Sequence, residues 1–316
     1  MKINIHTWDK VDLDLVARLT YTVRGGHWTG SSAIQEIVGW LQNEFAARPR
    51  LAVLAHTEGA LIGWLMLVVG DTGTAEINPW QLGGRPIVAP GRDARAVRAQ
   101  LLQAATHWAG EKDLRRLTLA APMPGGEADP EQEAWYRAQG FDVQLRYVEM
   151  RCCLSEQAIP AVQIPQGLSI KPLRAASEEA LYACYYDAFE NGDARFFLAQ
   201  DEPERKAYFD TLGLPEAQDE PASLILTKDQ RLIGFTYVLP YGAGNRHISC
   251  MCVHPGFQGR GLGKLLLQLI MRQAIKDGHQ ILTLGTETEM RAFELYRKHG
   301  FEITEGSVIY AWQRAG

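Results

Sequence analysis

The sequence has too few cysteines, and too little patterned charge, for several classes of protein. Only five of its 316 residues are cysteine, an odd number without regular spacing. That excludes a disulfide framework and suits a reducing compartment. Cys152-Cys153 and Cys250-x-Cys252 look like pieces of metal sites, but no Cys/His set completes either. Buried strand cysteines and no bound metal are therefore expected. No apolar stretch approaches the roughly 20 residues that span a bilayer, and Met1-Lys2-Ile3-Asn4-Ile5-His6 lacks the apolar core of a secretion signal. A soluble, cytoplasmic protein without a membrane partner is the expectation. No basic stripe stands out, and a net charge of −5 argues against a nucleic-acid partner.

What the chain does have is length, apolar content and an internal repeat. Hydrophobic residues make up 46% of it, and 316 residues accommodate two domains. Leu61-Ile62-Gly63 recurs as Leu232-Ile233-Gly234, and Val88-Ala89-Pro90-Gly91 as Val253-His254-Pro255-Gly256. The segment from Trp135-Tyr136 to Gly140-Phe141 recurs from Leu295-Tyr296 to Gly300-Phe301. Between Leu61 and Leu232, Pro90 and Pro255, and Tyr136 and Tyr296, the offset shortens from 171 to 165 to 160 residues, as short loop insertions produce. The expected boundaries are a first domain over 1–154, a linker over 155–167 punctuated by Pro160, Pro165 and Gly167, and a second domain over 168–316. Each copy reads as an α/β unit of mixed parallel and antiparallel strands.

The most informative segment runs from Val253 to Lys264. An apolar run, His247 to Val253, reads as a buried strand, and Leu265 to Met271 as a packed helix. A glycine-rich turn joins them. Gly259, Gly261 and Gly263 let backbone N–H groups approach an anion without a Cβ in the way, and the helix N-terminus favours a phosphate there. A mononucleotide P-loop would end in Gly-Lys-Ser/Thr, whereas Lys264 precedes Leu265; a dinucleotide turn would lie in the first βα unit. Neither template fits. The pattern Gln258-x-x-Gly261-x-Gly263, followed downstream by Ala292-x-x-Leu295-Tyr296-x-x-x-Gly300-Phe301, resembles the GNAT N-acetyltransferase superfamily.

That resemblance implies an α/β fold of two tandem GNAT-like domains, the second one active. It implies an acyl-CoA-dependent N-acyltransferase that moves acetyl from acetyl-CoA to a primary amine on a small molecule or peptide, working as a monomer or homodimer. It also implies roles. The backbone of Met251 and Val253 would pair with the pantetheine arm, with the Met251 N–H toward the thioester carbonyl. Gln258, Gly259, Arg260, Gly261, Gly263 and Lys264 would hold the pyrophosphate, and Tyr296 would protonate the departing thiolate. Histone-acetylating relatives carry a glutamate eleven residues before the motif's glutamine, a position held here by His247. Its imidazole titrates near neutrality and suits the base role. Glu287, just past a strand read over Ile281 to Leu284, is the second candidate. Glu289 stands where the family often has asparagine.

In the first copy, Asp93 to Arg98 stand opposite Gln258 to Gly263, and no glycine remains among them. Asp93 would repel a phosphate, so this copy is expected to have lost the cofactor, leaving Tyr136 as a packing aromatic. Tyr185, Tyr186, Arg195, Phe196, Phe197 and Tyr241 fall where the acceptor pocket would form. A degenerate first copy before an intact second one is similar in layout to the mycothiol synthases, which acetylate the cysteinyl amine of a small glycoside. A non-catalytic acyl-CoA sensor or scaffold is the alternative reading.

Overall fold

The computed structural model describes residues 1–24, 32–44, 46–70, 73–79, 82–155, 162–242 and 244–314. It divides into two compact units, one of Met1–Gln144 with Ser307–Gly316 and one of Leu145–Gly306.

The first unit is built on a mixed sheet. Its strands are β1 (Lys2–Thr7), β2 (Arg50–Thr57), β3 (Ala60–Val69), β4 (Thr74–Ile77) and β6 (Arg116–Pro122), with the short β5 (Ile87–Val88) pairing β3. The final strand, β13 (Glu302–Gln313), closes it: Ser307 to Gln313 run antiparallel to β6. Helices α1 (Leu13–Arg24), α2 (Ala33–Asn43), α3 (Ala94–Glu111) and α4 (Pro130–Ala138) complete the unit. Trp64, Ile37 and Leu41 are fully enclosed in its core.

The second unit repeats the plan. It contains β8 (Leu168–Pro172), α5 (Glu178–Glu190), the one-turn α6 (Arg195–Leu198), α7 (Glu202–Asp210), α8 (Leu214–Ala217), β9 (Leu224–Lys228), β10 (Arg231–Tyr241) and β11 (Asn245–Val253). Then come α9 (Leu262–Lys276), β12 (Ile281–Glu287) and α10 (Arg291–Lys298). Its sheet runs β8-β9-β10-β11-β12 and is closed by β7 (Asp142–Cys153), which lies antiparallel to β12. The β11–β12 pairing is parallel and the others are antiparallel.

The repeated Leu-Ile-Gly has a steric cause. A Cβ on Gly63 would press on Val97 Cγ1 at 2.9 Å and the Ile87 carbonyl at 3.2 Å. On Gly234 it would meet the Cys252 carbonyl at 2.8 Å and Leu266 at 3.5 Å. In both units the glycine lets the neighbouring strand and the loop-bearing helix approach one strand closely.

The expected boundary at 154 and 168 differs from this division. Tyr147 to Leu154 reads as the last strand of the first copy, but Tyr147 to Cys153 pair with β12 in the sheet of the second unit, and 307–313 add to the first. Repeat alignment shows which residues correspond, whereas sheet membership follows the hydrogen-bond partner. Of the expected linker, 156–161 lie outside the described residues. The cysteines are all free; four are buried, but Cys184 lies on α5 rather than a strand and Cys153 is exposed.

Candidate functional site

The second unit opens where two neighbouring strands part. β11 and β12 pair only from Arg246 with Leu282 to Ile248 with Leu284. Beyond that point β11 continues to Val253 against β10, while β12 continues to Glu287 against β7. A register shift marks the parting: Tyr237 pairs with Cys250 and Val238 with Ile248, which leaves Ser249 as an extra residue on β11. Ser249 Oγ donates to the Leu212 carbonyl at 2.8 Å and fixes the bulge.

Backbone groups alternate along a strand. The His254 N–H donates to the Ile233 carbonyl on the β10 side at 2.9 Å, so those of Val253 and Met251 face the opening. There the Gln258 side-chain amide donates to the Val253 carbonyl at 2.9 Å. Side chains alternate as well. Cys250 and Cys252 join the cluster under α5, and Met251 and Val253 the cluster under α9.

The opening leads into a groove of about 380 Å³. Met251, Val253, Gln258, Gly259, Gly261, Gly263 and Lys264 all line it, and Phe189, Met290 and Leu295 supply apolar walls. Gly259 (φ 73°) and Gly261 (φ 78°) adopt the left-handed conformation that disfavours other residues, and a Cβ on either would enter open space. Gly261 is the N-cap of α9 and provides no capping side chain. Among the described residues, no acceptor faces the backbone N–H groups of Gly259 to Lys264. These are the orphan donors of a helix N-terminus, and they fit a pyrophosphate. In the first unit Asp93 caps α3, and its carboxylate accepts from the Ala96 N–H at 3.1 Å. The first copy fills with its own side chain the place that the second leaves open.

Arg260 departs from expectation. Its guanidinium folds back onto the Gly256 carbonyl at 3.2 Å and over the Phe257 ring at 5.5 Å, outside the groove lining.

Tyr296 is buried on α10 against Phe301, with ring centroids 5.7 Å apart. Burial, with the Cys250 thiol nearby, raises its proton affinity well above that of an ordinary phenol. It is therefore a neutral donor at any physiological pH. Its counterpart Tyr136 stacks on Tyr310 at 4.3 Å, a packing aromatic as expected.

His247 lies off the groove, with Nδ1 3.0 Å from Thr283 Oγ1 and its ring beside Tyr241. Burial lowers its pKa, which keeps the ring neutral at pH 7. Glu287 is the last residue of β12 rather than a residue past it, because that strand runs three residues further than the sequence suggested. Its two carboxylate oxygens accept the backbone N–H groups of Arg195 (2.8 Å) and Phe196 (2.9 Å). Burial raises its pKa against those two bonds. The geometry makes it a brace for α6. Glu289 is paired with Arg146 at 2.9 Å and faces Arg195 at 3.9 Å. Burial raises its proton affinity, but these partners outweigh it and leave the pKa lowered. Of the expected acceptor-pocket residues, Tyr185 and Phe197 are core, Tyr186 bonds Glu190, and Phe196 and Tyr241 are exposed.

Sequence reasoning missed three residues. Directly opposed residues on neighbouring strands share a face, so Tyr147 stands beside Glu287 and Glu149 beside Gly285. Gly285 leaves a gap, and the Tyr147 hydroxyl lies over it, where a Cβ would collide. Burial raises the pKa of Glu149, opposed by a hydrogen bond from Tyr147, with Glu305 adding to the rise. Tyr208 of α7 joins this group: burial, Cys250, Glu149 and Glu287 push its phenol up to about 12. No motif announces Tyr147 or Glu149, because they belong by sequence to the end of the first copy.

One group of possible metal ligands occurs among the described residues, Glu220, Asp277 and His279. It lies outside the groove lining, and Arg246 already pairs with Glu220 at 2.8 Å.

The parted strands, the uncapped glycine turn and the buried helix tyrosine agree with the comparison to known proteins. Residues 178–301 match the acetyltransferase (GNAT) family, and the fold of the two units is similar to that of a tandem GNAT protein. The match supports acetyl transfer in general, for which the family generally uses acetyl-CoA. The chain is 27% identical over 272 residues to a mycothiol acetyltransferase of Thermomonospora curvata, covering 84% of this chain and 83% of that one. A GCN5-related N-acetyltransferase from Sphaerobacter thermophilus shares the fold with TM-score 0.65 at 17% identity, over 99% of this chain and 96% of that one. A tandem GNAT protein from the clavulanic acid biosynthesis pathway does so with TM-score 0.58 at 17% identity, over 100% and 99%. Among the described residues, no helix is long and apolar enough to cross a membrane.

Proposed function

We propose that the second unit transfers acetyl from acetyl-CoA to the primary amine of a small acceptor by direct attack. The observation that carries this reading is the combination of a run of N–H donors at Gly259–Lys264, without an acceptor among the described residues, with the β11 edge that β12 leaves unpaired at Met251 and Val253. The pyrophosphate would take the first and the pantetheine arm the second. The bound donor supplies the activated acetyl thioester.

The residues of this chain do the rest. The Met251 N–H is aimed into the opening, where it stabilises negative charge on a carbonyl oxygen. The amine approaches from the α5–α8 face, where Glu149, Tyr147 and Tyr208 lie. A free amine of ordinary basicity, pKa near ~10.4, is almost wholly protonated at neutral pH, so a base is needed. Of the groups on this face, Glu287 has both oxygens engaged by N–H donors and Glu289 is neutralised by arginine. His247 has its Nδ1 engaged with Thr283 Oγ1. Glu149 is the carboxylate left to remove the ammonium proton, with its proton affinity already raised by burial. Tyr296 protonates the leaving sulfur and is reprotonated by the second proton lost from nitrogen as the amide forms.

The likeness to a mycothiol acetyltransferase, over most of both chains, favours an acceptor of that kind: the amine of a cysteinyl glycoside. Calorimetric titration with acetyl-CoA should give one site per chain, and thiol release should follow addition of the cysteinyl glycoside. Activity on polyamines or peptides but not on the glycoside would reassign the acceptor. Binding of acetyl-CoA without thiol release on any amine would favour a sensor instead.

A further inference from the structure

The first unit lacks the glycine turn, yet the corresponding region holds three cations that have no counter-charge among the described residues. Arg24 ends α1, Arg85 precedes β5, and Arg98 lies on α3 in the position that corresponds to Gly263. All three converge on the short loop from Gly83 to Pro86. Arg24 Nη2 donates to the Gly83 carbonyl at 3.2 Å, and Arg98 Nε donates to the Pro86 carbonyl at 3.3 Å. The Arg24 guanidinium lies where a Cβ on Gly83 would stand.

The convergence has an electrostatic cost. Burial lowers the proton affinity of Arg24 and of Arg98, and Arg85 lowers both further. Among the described residues none of the three pairs with a carboxylate. Arg24 Nε is buried and has no hydrogen-bond partner among the described residues. The Tyr136 phenol on α4 is close enough for Arg85 and Arg98 to act on it. Partly desolvated like charges held by structure are unfavourable unless an anion joins them. Planar guanidinium forks match the oxygens of phosphate or carboxylate.

We propose that the first unit binds a compact oxyanion, a phosphate monoester or a dicarboxylate, between Arg24, Arg85 and Arg98 with the Tyr136 hydroxyl beside it. The half that lost the cofactor turn has become an anion site. This does not depend on acetyl transfer in the second unit.

The test uses the full chain in low-salt buffer, titrated by calorimetry and thermal unfolding with inorganic phosphate or with succinate, against chloride at matched ionic strength. A saturable rise in Tm with phosphate or succinate beyond chloride is expected, and the better of the two identifies the ligand chemistry. Arg85→Met should weaken that binding at least tenfold. Without anion it should unfold no earlier than the native chain, since Arg85 makes no side-chain hydrogen bond among the described residues and its loss relieves repulsion. Arg98→Gln, which retains a donor for the Pro86 carbonyl, gives an independent second reading. Any phosphate response that survives in both variants belongs to the glycine turn of the second unit. The proposal fails if neither anion exceeds chloride, or if both variants respond as the native chain does.

Discussion

The substitution Gly261→Asp tests the pyrophosphate turn most directly. Gly261 sits at φ 78°, ψ 7°, and a Cβ there meets nothing within 4 Å. The variant is therefore not excluded sterically and carries only left-handed backbone strain, about 1–2 kcal/mol. For a chain of this size that lowers Tm by only a few degrees, at roughly 2–4 °C per kcal/mol. The effect on the ligand is larger. The carboxylate would stand beside the N–H groups of Gly259 to Lys264, and two unit charges about 4 Å apart repel by about 1 kcal/mol in water and about 4 kcal/mol near a protein surface. Loss of at least the ~1.4 kcal/mol that means tenfold weaker acetyl-CoA binding is expected. Gly261→Ala carries the strain without the charge and should bind several-fold better than the aspartate variant. Calorimetry measures both affinities, and circular dichroism checks the fold. A Gly261→Asp chain that is folded and binds acetyl-CoA like the native protein would refute the reading of this turn and the mechanism built on it.

Tyr296→Phe should lower kcat by about 10²-fold or more, as loss of a positioned proton donor does, without changing acetyl-CoA affinity; an unchanged kcat would return Tyr296 to a packing role. Glu149→Gln should lower kcat/KM for the amine by a similar factor. Because the pKa of Glu149 is raised, its base form is lost as pH falls through a value above the usual carboxylate range, so the native rate should decline on that acid side. That limb should disappear in the variant, and its persistence would move the base elsewhere. Gly285→Ala would force the Tyr147 hydroxyl from its place. It should reduce amine turnover while leaving acetyl-CoA binding intact, and equal loss of both would indicate general unfolding.

The parts whose chemistry is local are legible in the residues themselves. Glycines 259, 261 and 263 between an apolar strand and an apolar helix favour an uncapped helix N-terminus, because residues without a side chain leave its N–H groups bare and Gly259 and Gly261 take up left-handed backbone without strain. The repeated Leu-Ile-Gly and Gly-Phe segments dictated two copies of one unit for the same reason, since Gly63 and Gly234 are places where a Cβ would collide. The loss of the turn in the first copy was legible too, although Asp93 acts by capping its own helix as well as by its charge.

Which strand completes which sheet is set by pairing across the folded chain. A strand's partner is chosen by hydrogen bonding across the chain, and Asp142–Cys153 and Glu302–Gln313 are equally good strands in either sheet when read by pattern. The exchange carries Tyr147 and Glu149 from the first half of the sequence to the face of the second unit proposed to receive the amine. It was likewise the fold that turned Glu287 from a free base into a brace for α6, because the carboxylate meets two N–H groups nearly a hundred residues away in the chain. It also brought Arg24, Arg85 and Arg98 onto one loop. Proximity of that kind is set by packing, and no spacing along the chain records it.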